Sequence, residues 1–140
     1  MTDGPSRLVI DASAVVALFT DRGEGGSWVA GHIRDRSLAA PHLMPFEAAN
    51  ILRRLGSAGV VDSTTASLAH ADLADLAIDL VPWSLLAERA WGLRHNLTVY
   101  DGTYVALAEY LGVPLVTMDQ RIARAPGIRC EIDAWPGETS

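Results

Sequence analysis

Short apolar runs alternate along the chain with longer segments whose apolar residues recur at helical spacing. The short runs predict strands at about residues 8–10, 38–40, 78–81, 113–118 and 128–132. The longer segments predict helices at about 14–20, 27–34, 84–94 and 102–111, and two more helices opened by Pro45 and by Asp62 or Ser63. Because strands and helices alternate, we predict an α/β fold with a central parallel sheet flanked by helices.

Turn-forming residues set the boundaries of these elements. Residues 21–26 are polar and rich in glycine, which predicts a loop before a helix capped by Ser27. Pro41 is expected to stop the second strand. Asn96 and Gly112 are expected to end helices, Asn96 in a left-handed conformation.

The length and composition indicate one globular unit. A chain of 140 residues with 49% hydrophobic and 20% charged residues fits a single domain with one core. We therefore predict one domain over residues 1–140, with flexible ends at about 1–6 and 137–140. No apolar run is long enough to span a bilayer, and the first seven residues lack a signal pattern, so we expect a cytoplasmic location and no membrane contact.

The charge narrows the possible functions. A formal net charge of −6 excludes a protein that grips nucleic acid over its whole surface, but it leaves room for a local basic patch. All basic residues apart from histidine are arginines, which excludes every mechanism that needs a lysine. Cys130 is the only cysteine, so no intrachain disulfide can form, and we expect a buried thiol.

Four acids stand at predicted element ends. Asp11 and Asp119 each follow a predicted buried strand, and Glu47 and Asp101 lie at predicted helix starts. In an open parallel sheet, ligands bind beyond the carboxyl ends of the strands, so acids placed there can face one crevice. Taken singly, each acid also has a plainer interpretation as a helix cap or as a partner of the helix dipole.

Acids gathered in this way predict a bound cation. Four neighbouring carboxylates cannot all stay ionised without a counter-charge. Mg²⁺ or Mn²⁺, held by carboxylates and water, can activate a water molecule and stabilise the departing oxygen of a phosphodiester. That chemistry requires no lysine, cysteine or histidine nucleophile, so the residue types favour a metal-dependent nuclease.

The segments around these acids resemble the PIN-domain family, in particular its VapC toxin branch. The matching segments are residues 9–14 (VIDASA), 45–50 (PFEAAN), 100–108 (YDGTYVALA) and 115–119 (LVTMD). They run from near the start of the chain to near its end, so the resemblance covers essentially the whole sequence. Gly102 stands where an alanine is more usual in the family, and this leaves the neighbouring acid unaffected.

The resemblance implies a parallel-sheet α/β fold and a Mg²⁺- or Mn²⁺-dependent endoribonuclease. It implies that Asp11, Glu47, Asp101 and Asp119 are the metal-binding and catalytic acids, and that Ser13 and Thr117 are polar helpers. It further implies a toxin that cleaves RNA, is held inactive by a cognate VapB-type antitoxin and often forms a homodimer.

Other residues near the four acids suggest auxiliary roles. Asn50 follows Glu47 by three residues, so it can share a helical face with it and orient a carboxylate or a water. Arg53, Arg54, Arg121 and Arg124 are candidate contacts for RNA phosphates. A solvated helix end is the simpler explanation of the first two, and Arg121 and Arg124 are the better candidates because they flank the proposed site.

The VapC resemblance also predicts how the antitoxin binds. We expect its C-terminal segment to cross a groove near Glu47, Arg53 and Asp101 and to place an arginine against the acids. Trp28, Phe46 or Leu52 would then supply an apolar anchor.

Rival functions fit the sequence less well. An aspartyl-phosphate phosphatase would place a second acid where this chain has Ser13, and such sites also use a lysine. Residues 23–26 follow no strand directly, so they do not form a nucleotide-binding loop. The alternative from another class is a non-catalytic interaction module on the same fold, which the complete set of four acids disfavours.

Overall fold

The computed structural model describes residues 6–138, which contain one five-stranded sheet. The strand order is β3-β2-β1-β4-β5, and every pairing is parallel. The strands are β1 (Arg7–Ile10), β2 (Ser37–Pro41), β3 (Asp79–Val81), β4 (Leu115–Thr117) and β5 (Ile132–Ala134). The predicted α/β class with a parallel sheet is therefore confirmed. The ends predicted to be flexible fall mostly on residues 1–5 and 139–140, outside the described residues.

Helices connect the strands and cover the sheet. They are α1 (Ala12–Thr20), α2 (Glu24–Ile33), α3 (Met44–Ser57), α4 (Ser63–Ala74), α5 (Ala87–Gly92), α6 (Val99–Leu111) and α7 (Gln120–Arg124), with a 3-10 turn at Trp83–Leu85. Helix α1 packs against α2, α3 and α4, while α6 packs against β1, β2 and α5. Within residues 6–138 no helix has the length and apolarity to cross a bilayer. The cytoplasmic location stays a prediction.

The core is centred on the two middle strands. Leu8, Val9 and Ile10 of β1 and Leu115 and Val116 of β4 are fully buried. Helix α6 is buried without a break from residue 102 to residue 108, so it has no solvent face over that stretch. A helix enclosed in this way is fixed in position, and the residues of its first turn are fixed with it.

Helix α6 enters the core by a close approach at Gly102. A Cβ placed there would lie 3.2 Å from the carbonyl oxygen of Ala90, in α5. A Cβ at this position would be crowded by the α5 backbone, so glycine eases the close approach of the two helices. The other end of α6 closes as predicted, because Gly112 takes a left-handed conformation with φ 68°.

Several predicted element boundaries differ from those of the structure. Helix α2 begins at Glu24, three residues before the predicted start. The reason lies in Gly26, where a Cβ would be 1.9 Å from the carbonyl oxygen of Asp21, so glycine here serves close packing rather than a loop. Pro41 is the last residue of β2, where it pairs with Val81, so the second strand stops at Pro41 as predicted. The predicted helix at 84–94 is a 3-10 turn followed by the short α5.

The C-terminal region and Asn96 also differ from the predictions. Strand β5 lies at Ile132–Ala134 and overlaps the predicted segment only at Ile132, and Cys130 is half-buried rather than buried. Asn96 is not left-handed, since Asp35 is the only non-glycine residue with positive φ among residues 6–138. Instead, its Nδ2 donates to the carbonyl oxygen of Pro126 at 3.0 Å and ties the chain after α5 to that segment.

Candidate active site

The site forms where two neighbouring strands end. Strand β1 pairs in parallel with β4, with Ile10 opposite Val116. Asp11 follows β1 directly, and Asp119 lies two residues after the last residue of β4. Both acids therefore lie at the carboxyl edge of the sheet, where each one caps the helix that follows it, Asp11 at α1 and Asp119 at α7.

Asp11 is held on both of its oxygens. Oδ1 accepts from the Ser13 hydroxyl at 2.7 Å and from the backbone N–H of Ala14 at 3.0 Å, and Oδ2 accepts a short hydrogen bond from the Thr117 hydroxyl. The residue is 5% exposed. Burial raises the pKa of the Asp11 carboxyl to about 6, against the lowering effect of these hydrogen bonds. Asp11 is thus rigidly placed and easily protonated for an aspartate.

Thr117 links two of the acids. Its hydroxyl donates to Asp11, and the same oxygen accepts from the backbone N–H of Asp119 at 3.0 Å. The Ser13 hydroxyl in turn accepts from the backbone N–H of Met118 at 3.1 Å. The two predicted helper residues therefore fasten the start of α1 to the end of β4.

Glu47 enters the site from the first turn of α3. Its Oε1 accepts from the hydroxyl of Tyr104 at 2.6 Å. Burial, and then the charge of Asp101, raise the pKa of the half-buried Glu47 carboxyl. The sequence analysis missed Tyr104, although its position three residues after Asp101 on one helix was a usable signal.

Asp101 enters from the first turn of α6, three residues after the N-cap Thr98. The hydroxyl oxygen of Thr98 accepts from the backbone N–H of Asp101 at 3.1 Å, so the cap fixes the turn that carries the acid. Burial, and then the charge of Asp119, raise the pKa of the Asp101 carboxyl. The helix starts at Val99, so Asp101 lies within its first turn rather than at the predicted start near residue 102.

Asp119 differs from the other three acids because an arginine neutralises it. Arg121 donates from Nε and Nη2 to the Asp119 carboxylate, with a shortest distance of 2.6 Å from Nη2 to Oδ2. These bonds hold the pKa of the Asp119 carboxyl below its usual range. One acid of the group is thus stabilised as the anion by the chain itself.

The four acids line one pocket of about 220 Å³. Its lining residues are Asp11, Ala12, Ser13, Glu47, Asn50, Ile51, Arg54, Asp101, Tyr104, Asp119 and Ile122. The structure therefore brings the predicted acids together at one edge of the sheet.

An all-oxygen donor set of this kind suits Mg²⁺ or Mn²⁺. As the side chains stand within residues 6–138, no three His, Cys, Asp or Glu groups are arranged to hold one ion. Both Asp119 oxygens are bonded to Arg121, and one oxygen of Glu47 is bonded to Tyr104. The donors fit a divalent cation, and their orientations would have to change to bind it.

The auxiliary residues separate into two groups. Asn50 and Arg54 line the acid pocket, and Arg121 and Arg124 line an adjoining open trough of about 420 Å³ that shares Ser13 and Asp119 with the pocket. Arg53 instead points into a groove between α3 and α4, and its Nε donates to Asn50 Oδ1 at 2.9 Å. The structure thus places three of the four predicted arginines beside the acids.

Comparison with known proteins gives the family. A model of the PIN domain matches residues 8–128. The chain belongs to the PIN-domain family. Within it, the chain is similar to ribonuclease VapC1 of Mycobacterium tuberculosis, with 41% identity over 125 residues that cover 89% of this chain and 94% of that protein. The VapC branch that the sequence motifs indicated is therefore confirmed.

Solved structures agree with this assignment. The crystal structure of PAE2754 from Pyrobaculum aerophilum superposes with a TM-score of 0.62 at 26% identity, covering 91% of this chain and 83% of that one. VapBC-5 from M. tuberculosis, described as a member of the VapBC family of toxin–antitoxin systems, gives a TM-score of 0.57 at 19% identity, covering 93% and 98%. The second likeness shows the fold alone. The predicted PIN fold and the prediction of a VapC-type ribonuclease are confirmed at the level of the family.

Proposed function

We propose that this chain is a Mg²⁺- or Mn²⁺-dependent endoribonuclease and the toxin of a toxin–antitoxin pair. The observation that carries the proposal is the convergence of Asp11, Glu47, Asp101 and Asp119, from four separate segments, on one pocket of about 220 Å³. Relatives bear the name ribonuclease, and PIN-domain VapC nucleases generally depend on a divalent metal. The acid pocket supplies the ligands that such an enzyme needs.

The residues of the chain divide the work of hydrolysis. A bound divalent cation would supply a polarised water and neutralise charge on the phosphodiester. Asp11, Asp101 and Asp119 would hold it, with Asp11 fixed by Ser13 and Thr117. We assign proton transfer to Glu47: Tyr104 holds Oε1, so Oε2 would take the proton of the attacking water as its oxygen bonds to phosphorus, and the raised pKa of this carboxyl suits a general base. The P–O bond to the leaving ribose oxygen would break, and that oxygen would take up a proton from solvent.

The substrate backbone would lie along the arginines beside the pocket. Arg54 lines the pocket, and Arg124 lines the trough that continues from it. Guanidinium groups bind phosphate in a bidentate manner, and such contacts position a nucleic acid without reading its sequence. We propose Arg54 and Arg124 as phosphate contacts and leave Arg53, which points into the groove between α3 and α4, out of this role.

The experiment compares Asp101→Asn with Asp72→Asn. Both variants remove one carboxylate charge, but Asp72 is exposed on α4, away from the pocket. Purified Asp101→Asn should cleave RNA no faster than wild-type protein in EDTA, and Asp72→Asn should match wild-type protein with Mg²⁺ or Mn²⁺. Full activity of Asp101→Asn, or activity of wild-type protein in EDTA, would contradict the proposal and favour a non-catalytic interaction module.

We propose that the antitoxin supplies a guanidinium to this pocket. Glu47 and Asp101 take part in no ion pair among residues 6–138, so an arginine from a partner can pair with them. Of the predicted apolar anchors, Leu52 is 4% exposed and cannot serve, whereas Phe46 is 79% exposed and accessible both to the antitoxin and to a second copy of the chain. Co-expression with the product of the neighbouring gene should yield a complex without RNase activity.

We propose that the homodimer forms through an aromatic surface beside the pocket. Phe46, Trp83 and Tyr100 are each more than half exposed and border an apolar groove of about 340 Å³. None of the groove's lining residues is a carboxylate or an arginine, so two copies of a chain with net charge −6 repel each other least there. Sedimentation should show a dimer for wild-type protein and a monomer for Phe46→Glu, with Leu68→Glu as the control on exposed α4 surface.

A further inference from the structure

The guanidinium of Arg121 is bonded to Asp119, one of the four acids that line the pocket. Its Nε lies 3.0 Å from Asp119 Oδ1 and 3.2 Å from Oδ2, and its Nη2 lies 2.6 Å from Oδ2. Its backbone N–H also donates to Oδ1 at 2.9 Å. Both oxygens of Asp119 are therefore engaged by one residue, at the place where an ion shared with Asp11 and Asp101 would have to bind.

This ion pair is unlike the structural pair elsewhere in the fold. The Arg89 side chain is 29% exposed, bonds Glu109 and also donates to the carbonyl oxygen of Gly127 at 2.7 Å. The Arg121 side chain is 81% exposed, and its guanidinium bonds only Asp119 within residues 6–138. Arg121 can leave its partner by rotating into solvent, without moving any packed group.

The surface around Arg121 suits a phosphate backbone. The open trough of about 420 Å³ is lined by Ser13, Met118, Asp119, Gln120, Arg121, Arg124, Trp135, Pro136 and Gly137. Ser13 and Asp119 also line the acid pocket, so trough and pocket form one continuous surface. A guanidinium released from Asp119 thus remains beside Arg124, next to the acids.

We propose that Arg121 is a displaceable counter-ion that competes with the divalent metal for Asp119 and, once displaced, binds an RNA phosphate in the adjoining trough. This inference rests on the proposed metal-dependent nuclease function. Arg121 engages both oxygens of Asp119, so this ion pair has to open before Asp119 can bind a metal. Metal binding and RNA binding then become coupled through one side chain.

The first test measures Mn²⁺ binding by calorimetry, without RNA, for wild-type protein, Arg121→Gln and Arg124→Gln. Both variants remove one positive charge from α7, but only Arg121 bonds an acid of the pocket. Arg121→Gln should lower the dissociation constant for Mn²⁺ by about threefold to fivefold, the range of an exposed ion pair, and Arg124→Gln should change it less than twofold. Equal effects of the two variants would overturn the proposal, because they would reflect net charge alone.

The second test measures binding of a single-stranded oligouridylate to Glu47→Gln protein, which the proposed function makes inactive. In Mg²⁺, adding Arg121→Gln should weaken RNA binding by about threefold or more and reduce its salt dependence by about one phosphate contact. In EDTA it should change RNA affinity little, because Arg121 then holds Asp119. The same loss in both conditions would overturn the inference. Cleavage of the probe by Glu47→Gln protein would instead count against the proposed function.

Discussion

The two walls of the acid pocket are built on different principles. The inner wall holds Asp11 by the hydroxyls of Ser13 and Thr117, and it is buried. The outer wall holds Asp119 by the guanidinium of Arg121, and it opens to solvent. The pKa of the inner carboxyl is raised to about 6 by burial, while that of the outer carboxyl is lowered by the arginine. One pocket thus contains an acid that lacks a counter-charge and an acid that already has one.

This contrast assigns different tasks to the two walls. Hydroxyl groups fix the direction of a carboxylate without neutralising it, so the inner acid keeps its affinity for an added cation. A guanidinium neutralises the carboxylate it binds, so the outer acid is available to a cation only in competition with Arg121. The inner wall holds the Asp11 carboxylate in a fixed position. At the outer wall, the Asp119 carboxylate can exchange Arg121 for another cation.

The largest expected effect is on catalysis by the inner wall. Asp11→Asn keeps the shape of the side chain but removes the charge, and we expect RNA cleavage to fall by at least about 100-fold, since loss of outer-shell partners alone reduces activity 10- to 100-fold. Initial rates at saturating Mn²⁺ measure this. Asp119→Asn should lose less, because part of the work of Asp119 is to bind Arg121. A greater loss of cleavage rate in Asp119→Asn than in Asp11→Asn would contradict the assignment of the main catalytic role to the inner wall.

The next effect is on stability as pH changes in the absence of metal. The folded-state pKa of Asp11 lies above the ordinary aspartate value of 3.8, so the folded protein binds the proton more tightly than the unfolded chain does. The destabilisation by Asp11 is therefore absent below about pH 4 and grows until about pH 6, to roughly 3 kcal/mol. Asp119, whose pKa is lowered, contributes stability above its unfolded pKa that is lost as pH falls through its folded value.

Urea unfolding in EDTA from pH 4 to pH 7 measures this difference. Relative to wild-type protein, Asp11→Asn should gain stability as pH rises over that range, whereas Asp119→Asn should gain none. A difference between wild-type protein and Asp11→Asn that stays constant with pH would contradict the burial of an ionisable Asp11.

The smallest effect concerns the hydroxyl that joins the two walls. Thr117→Val removes the donor to Asp11 and the acceptor of the Asp119 N–H, so we expect a loss of about 1–3 kcal/mol in the free energy of unfolding at pH 7. Thr103→Val is the matched control, since Thr103 is equally buried but donates only to the Tyr100 carbonyl within its own helix, at 2.6 Å. Equal losses in the two variants would show that Thr117 has no special role.

The sequence predicted the inner wall better than the outer wall. Asp11 and Asp119 follow neighbouring parallel strands, and parallel strands end at one edge of a sheet, so their convergence follows from the order of the elements. The positions of Asp101 and Glu47 were predicted from the starts of the helices that carry them. The sequence analysis assigned the counter-charge of the acids to a metal ion and did not foresee that Arg121 supplies one to Asp119.

The failures have a common physical origin. The ion pair between Arg121 and Asp119 depends on the rotamer of an exposed side chain, and the pattern of apolar residues along the sequence does not indicate rotamers. The start of α2 depends on a close contact between Gly26 and Asp21, and such contacts arise only once the chain is packed. The contact of Tyr104 with Glu47 joins residues on α3 and α6, so it required the tertiary arrangement as well as the helical spacing.

The pairing of β1 with β4 has a consequence for synthesis of the protein. Val9 and Ile10 lie opposite Leu115 and Val116, so β1 is synthesised more than a hundred residues before β4, the strand with which it pairs. Such distant pairings form late in folding. Asp11 receives its bond from Thr117 only when that partner has left the ribosome. A nascent chain therefore has no assembled acid pocket until most of its length has been translated.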